Sequence, residues 1–165
     1  MNDAAPLTVD LADDAATRTL GRLLAEAQPE ASPYPALLLE GPLGAGKTTL
    51  TRALVEALPG GDQAEPASPS FNIMNLYPTS PPVAHFDLYR LAGARLDDDA
   101  AERLEDPTGL AVVEWAEFLP PAERPADALT LRWRDVANGR RLDLIASGPA
   151  GRALLARLAP GLKGL

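Results

Sequence analysis

A chain of 165 residues with 46% apolar content is long enough for one buried core, and its net charge of −8 excludes broad electrostatic adhesion to nucleic acid or to an anionic membrane. It contains no cysteine, so disulfides and thiolate metal sites are excluded as well. The N-terminal run MNDAAPLTVDLADD lacks the charged-then-apolar layout of a secretion signal, and no apolar run approaches the ~20 residues that span a bilayer, which predicts a cytoplasmic protein with no membrane partner.

Leu7, Val9 and Leu11 alternate as a short strand, after which Ala16, Leu20, Leu23, Leu24 and Ala27 recur at helical spacing until Pro29. PALLLE (35–40) reads as a short buried strand, and Leu50, Ala53, Leu54, Ala57 and Leu58 make one face of a helix that stops at Pro59-Gly60-Gly61. FNIMNLY (71–77) and VAHFDLY (83–89) flank PTSPP and predict a hairpin. DDDAAERLED (97–106) carries six acids and one arginine and is expected to form a solvated face. GLAVVEW (109–115) is a further buried strand. ALTLRWR and RRLDLIAS bracket Asn138-Gly139, a pair favoured in hairpin turns, before an amphipathic helix at about 150–159. Residues 129–165 hold seven bases and two acids, a second charged face. The 17 prolines cluster at 59–82 and 120–125 as loop punctuation inside one domain spanning 1–165.

Between the strand at 35–40 and its helix, Gly41-Pro42-Leu43-Gly44-Ala45-Gly46-Lys47-Thr48 matches G-x-x-x-x-G-K-[ST]. Glycines let the backbone N–H groups converge on phosphate oxygens, and the helix that follows adds its positive end. Lys47 is expected to reach the β- and γ-phosphates and the Thr48 hydroxyl to ligate Mg²⁺. The expected nucleotide contacts are Gly41, Leu43, Gly44, Ala45, Gly46, Lys47, Thr48 and Thr49. The motif and the strand order together predict an α/β fold: a single P-loop NTPase-like domain, a mostly parallel central sheet with antiparallel hairpin additions, and flanking helices. Such a site also needs a carboxylate at the end of a neighbouring strand, and Asp87 and Glu114 each end an apolar strand. His85, the one histidine, alternates in register with Asp87, where it would orient Asp87 or a water, or serve as a hydrogen-bonded structural residue. Trp115 reads as a core or cleft aromatic, Trp133 as packing on the C-terminal hairpin, and Tyr77 and Tyr89 as packing residues of the first hairpin.

GPLGAGKTT, SPSFNIMNLY, HFDLYRL and VVEW, in that order and spacing, resemble the TsaE (YjeE) family, the small ATPase of bacterial tRNA threonylcarbamoyladenosine biosynthesis; the match is firm over residues 37–115. The resemblance implies ATP/ADP and Mg²⁺ as cofactors. It implies that Lys47, Asp87 and Glu114 carry catalysis, that Thr48, Asp87 and Glu114 serve the metal, and that Trp115 neighbours the site. Ser68-Pro69-Ser70 aligns with the family's switch-like S-P-T segment near the γ-phosphate, with Ser70 for the usual Thr. Thr17 to Gly21 (TRTLG) looks like the segment beside the adenine. The acidic stretch after Arg90 departs from the family's usual pattern. The implied partner is the TsaB–TsaD pair, in which TsaD modifies the adenosine beside the anticodon, so that tRNA is reached only indirectly and hydrolysis is slow until the partner docks. One alternative is a small-molecule kinase, which needs an arginine-rich lid, whereas only Arg52, Arg90, Arg95 and Arg103 lie between the phosphate loop and GLAVVEW. The other is a nucleotide-sensing module without useful turnover.

Overall fold

The computed structural model describes residues 5–64, 73–91, 94–137 and 139–165; Ser68-Pro69-Ser70, the start of the first hairpin strand at 71–72, and Asn138 lie outside them. Among the described residues the strands are β1 (Leu7–Leu11), β2 (Ala36–Glu40), β3 (Met74–Tyr77), β4 (Val83–Asp87), β5 (Leu110–Glu114), β6 (Ala128–Asp135) and β7 (Arg140–Ser147). The helices are α1 (Asp14–Ala27), α2 (Lys47–Ala57), α3 (Asp98–Glu105) and α4 (Gly148–Leu162). The strands form one mixed sheet in the order β1-β7-β6-β2-β5-β4-β3. Its four central strands, β6, β2, β5 and β4, are parallel, and both edges are antiparallel additions.

Strand β2 is buried at every position because helices or capping turns cover both its faces, which is why its sequence reads as an unbroken apolar run. Leu37 and Leu39 join Leu110, Val112, Leu129 and Leu131 in a core closed by α1, α2 and α4. Ala36 and Leu38 face the other way, with Phe86, Val113, Leu96 and Leu104. Helices α1 and α2 touch so closely that a Cβ on Gly21 would lie 2.7 Å from Ala53 Cβ and 2.8 Å from the Leu50 carbonyl. The glycine of the TRTLG segment is thus required by helix packing.

Two expectations change. The acidic stretch does form a solvated face, but it is also a helix. Asp97 caps α3 by accepting from Ala100 N at 2.8 Å, Asp98 and Asp99 sit in the first turn where the helix dipole favours anions, and Ala100 and Leu104, four apart, are buried. The last helix starts at Gly148 and runs past Pro160 to Leu162, since Leu154, Leu158 and Leu162 hold one buried stripe. Among the described residues no helix is long and apolar enough to cross a membrane.

Candidate nucleotide site

The carboxyl ends of β2, β5 and β4 lie side by side, with Leu39 opposite Glu114 and Glu114 opposite Asp87. The loop 41–46 leaves β2 at this edge and delivers the chain into α2. Gly41, Gly44 and Gly46 all have positive φ. Gly46, at φ 117, is the residue before the helix and, as a glycine, has no side chain with which to cap the first N–H groups of α2. Those N–H groups, including those of Thr48 and the partly exposed Thr49, are the donors an anion would take. Ala45 is buried under the loop while Leu43, 81% exposed, forms its tip.

Lys47 is buried, and its ammonium donates to the carbonyls of Gly41 (2.6 Å) and Pro42 (2.9 Å), folding back on its own loop. The nitrogen also stands 4.0 Å from the centroid of the Trp115 ring. Burial lowers its pKa from the ordinary lysine value, against the opposing charges of Glu117, Glu114 and Asp87. The Thr48 hydroxyl donates to Glu114 Oε1 at 2.6 Å. Glu114 is itself buried, and its Oε2 meets His85 Nε2, whose other ring nitrogen lies 3.4 Å from the Tyr77 hydroxyl. A ring protonated on Nε2 satisfies both contacts: it donates to Glu114 and accepts from Tyr77.

Glu114 therefore joins the phosphate loop to a buried hydrogen-bonded chain running Thr48, Glu114, His85, Tyr77. His85 serves Glu114 on the neighbouring strand rather than Asp87 on its own. The strand pairing accounts for this, since inward-facing positions of β4 and β5 share one face of the sheet. Asp87 lies at the mouth, accepting from Tyr89 N at 3.1 Å and acting on Lys47 through its charge.

Thr17 is fully buried on α1 and sits against the loop: a Cβ on Gly46 would be 3.3 Å from Thr17 Cγ2 and 3.4 Å from Arg140 Nη1. Beside it Leu11, Ala12, Asp13, Asp14, Gly139 and Arg140 line a recess of about 330 Å³. Of the expected contacts, all but Ser70, which lies outside the described residues, converge on this edge of the sheet. Tyr77 packs in the core as expected, and both Tyr77 and Tyr89 also border this edge. Tyr77 closes the buried chain, and Tyr89 packs tilted against Trp115 (4.9 Å between centroids), which stacks on Phe118 (5.6 Å). Glu117, not among the expected residues, accepts from Gly41 N at 3.4 Å.

Loop donors, a buried ammonium, a hydroxyl and two carboxylates fit a polyphosphate with its divalent cation. The Thr48 hydroxyl and the Asp87 and Glu114 carboxylates are oxygen donors, the kind a hard cation such as Mg²⁺ takes.

The family model described as "Threonylcarbamoyl adenosine biosynthesis protein TsaE" matches residues 11–142. A tRNA threonylcarbamoyladenosine biosynthesis protein TsaE from Treponema pallidum is 35% identical over 74% of this chain and 84% of its own length. The protein of the same name from Synechocystis is 40% identical over 67% of this chain and 70% of its own. The crystal structure of Bacillus subtilis YdiB superposes with a TM-score of 0.75 at 28% identity, covering 97% of this chain and 98% of that one. With the phosphate loop, the strand-end carboxylates and these likenesses in agreement, this chain belongs to the TsaE family.

Proposed function

We propose that this chain is the ATP-binding and ATP-hydrolysing component of the cytoplasmic system that makes threonylcarbamoyladenosine beside the anticodon, acting on a TsaB–TsaD-type complex and reaching tRNA only through it. The observation that carries the reading is the hydrogen bond from Thr48 to Glu114, which joins the hydroxyl a magnesium ion requires to the carboxylate an attacking water requires. The N–H groups of the loop and of the first turn of α2 would hold the phosphates. Lys47 would exchange the Gly41 and Pro42 carbonyls for β- and γ-oxygens. Thr48 and Asp87 would hold Mg²⁺, with Glu114 close to its water shell and Ser70, by family resemblance, on the γ side. Thr17 and the recess beside it would take the nucleobase. When bound, Mg²⁺ neutralises charge on the bridging and γ-phosphate oxygens.

Glu114, released by Thr48 but still fixed by His85, would orient the attacking water through Oε1. Catalysis of this type rests on fixed geometry more than on covalent chemistry, and a partner that orders the site would raise it, so turnover by the chain alone is expected to be slow. Contact with the partner over the face at 68–90 completes the arrangement. The test compares two isosteric variants. Glu114→Gln binds Mg-ATP nearly as wild type but hydrolyses it at least about a hundredfold more slowly, whereas Asp87→Asn weakens Mg²⁺-dependent binding. Equal loss of binding in both would mean that the carboxylates act as one metal-linked unit.

A further inference from the structure

Glu40, the last residue of β2, is a buried carboxylate immediately before the phosphate loop, on the sheet face opposite Glu114. Its Oε1 accepts from Arg124 Nη2 at 2.7 Å and its Oε2 from Arg132 Nε at 2.8 Å. The two arginines are not equivalent. Arg132 comes from the adjacent strand, where it lies opposite Glu40 in the ladder. Arg124 comes from the turn after β5, and its second terminal nitrogen donates to the Ala116 carbonyl at 3.1 Å. Its neighbour Glu123 is tied to Arg95 Nε (3.1 Å) and Leu96 N (3.4 Å), which fixes the backbone from which Arg124 reaches.

The guanidinium thus spans the two segments that seat Lys47. Through Glu40 it holds the root of the loop whose Gly41 carbonyl accepts from Lys47. Through Ala116 it holds the peptide after Trp115, whose ring lies over the same ammonium. Trp115, at φ 60, is the one non-glycine residue with positive φ among the described residues, a conformation that persists only where its surroundings over-determine it. A planar fork holds a carboxylate and a carbonyl with two separate nitrogens in fixed directions, a geometry that the single nitrogen of an ammonium does not reproduce.

We propose that Arg124 is a positioning residue: it clamps the root of the phosphate loop to the Trp115 turn and so sets where Lys47 meets phosphate. This rests on the nucleotide reading above for its consequence, but not for its geometry. The test uses a Trp133→Phe background, which leaves Trp115 as the sole tryptophan and removes no hydrogen bond, since Trp133 Nε1 has no partner. Trp115 emission and acrylamide quenching are measured without nucleotide, and Mg-ADP affinity by calorimetry. Arg124→Met is compared with Arg132→Met, which takes a guanidinium from the same carboxylate. It is also compared with Arg134→Met, which breaks a similar pair with buried Asp143 away from the loop.

Arg124→Met should shift Trp115 emission to the red, increase its quenching and weaken Mg-ADP about tenfold. The other two should keep quenching and affinity within about twofold of the background, whatever they do to Tm. Should Arg124→Met fail to fold, Arg124→Lys keeps the positive charge but replaces two fixed donor nitrogens with one on a flexible stem, and it should show the same change in Trp115. Unchanged Trp115 quenching in the folded variant, or an equal change in Arg132→Met, overturns the clamp. Absence of Mg-ADP binding in the background protein would sink the nucleotide reading, while the quenching comparison would still decide the role of Arg124.

Discussion

Lys47 shows how a functional side chain and a stabilising one differ. Burial disfavours its charged form, so folding works against the protonated lysine at neutral pH. That cost begins to fall as pH rises through its lowered pKa and is gone only above the ordinary lysine value. Replacing it with methionine removes the cost and keeps the apolar stem against Trp115. Lys47→Met should therefore abolish nucleotide binding in calorimetry without lowering Tm; a large loss of Tm would show that the ammonium supports the loop. His85 is the opposite case, because both of its ring nitrogens meet buried partners. His85→Ala would take the donor from Glu114 Oε2, leaving only Thr48 on that carboxylate, and should cost about 1–3 kcal/mol in denaturant unfolding. His85→Gln retains an N–H for Glu114 and should recover part of both stability and hydrolysis. No difference between the two variants would make the histidine a mere space-filler.

The elements divide by how they are encoded. Strand β2, the loop and α2 were legible because a buried apolar run, a glycine-lysine motif and a 3.6-residue period are all local signals. Helix α3 was not, because two turns with only Ala100 and Leu104 buried are outvoted by six acids in a count of charges. The place of the candidate site was legible, with Lys47 and Thr48 marked by the loop motif and Asp87 and Glu114 by the ends of apolar strands. The partner of His85 was not, since its own strand suggested Asp87 and the sheet order that brings Glu114 beside it appears only in three dimensions. The contact of Arg124 with Glu40, 84 residues apart in sequence, left no local trace at all. At this scale Gly21 offers the sharpest test. Gly21→Val would force α1 from α2 and should cost about 1–3 kcal/mol, a Tm fall of roughly 3–10 °C, with nucleotide affinity lowered in step because α2 carries Lys47. Unchanged Tm would mean that the two helices are free to part.

Across the whole molecule, a parallel centre gathers strand ends at one edge, and every residue assigned to phosphate or metal among the described ones lies there. The antiparallel edges extend the sheet on either side of this centre. An aromatic rim of Tyr89, Trp115 and Phe118, with Leu43 exposed at the loop tip, borders the same edge. The most direct measurement is steady-state phosphate release by wild type and Lys47→Met, each alone and with purified TsaB–TsaD. Slow release by the wild type alone, a rise of at least about tenfold with TsaB–TsaD, and none in Lys47→Met under either condition is the predicted result. Fast release without the partner and no stimulation by it would contradict the account.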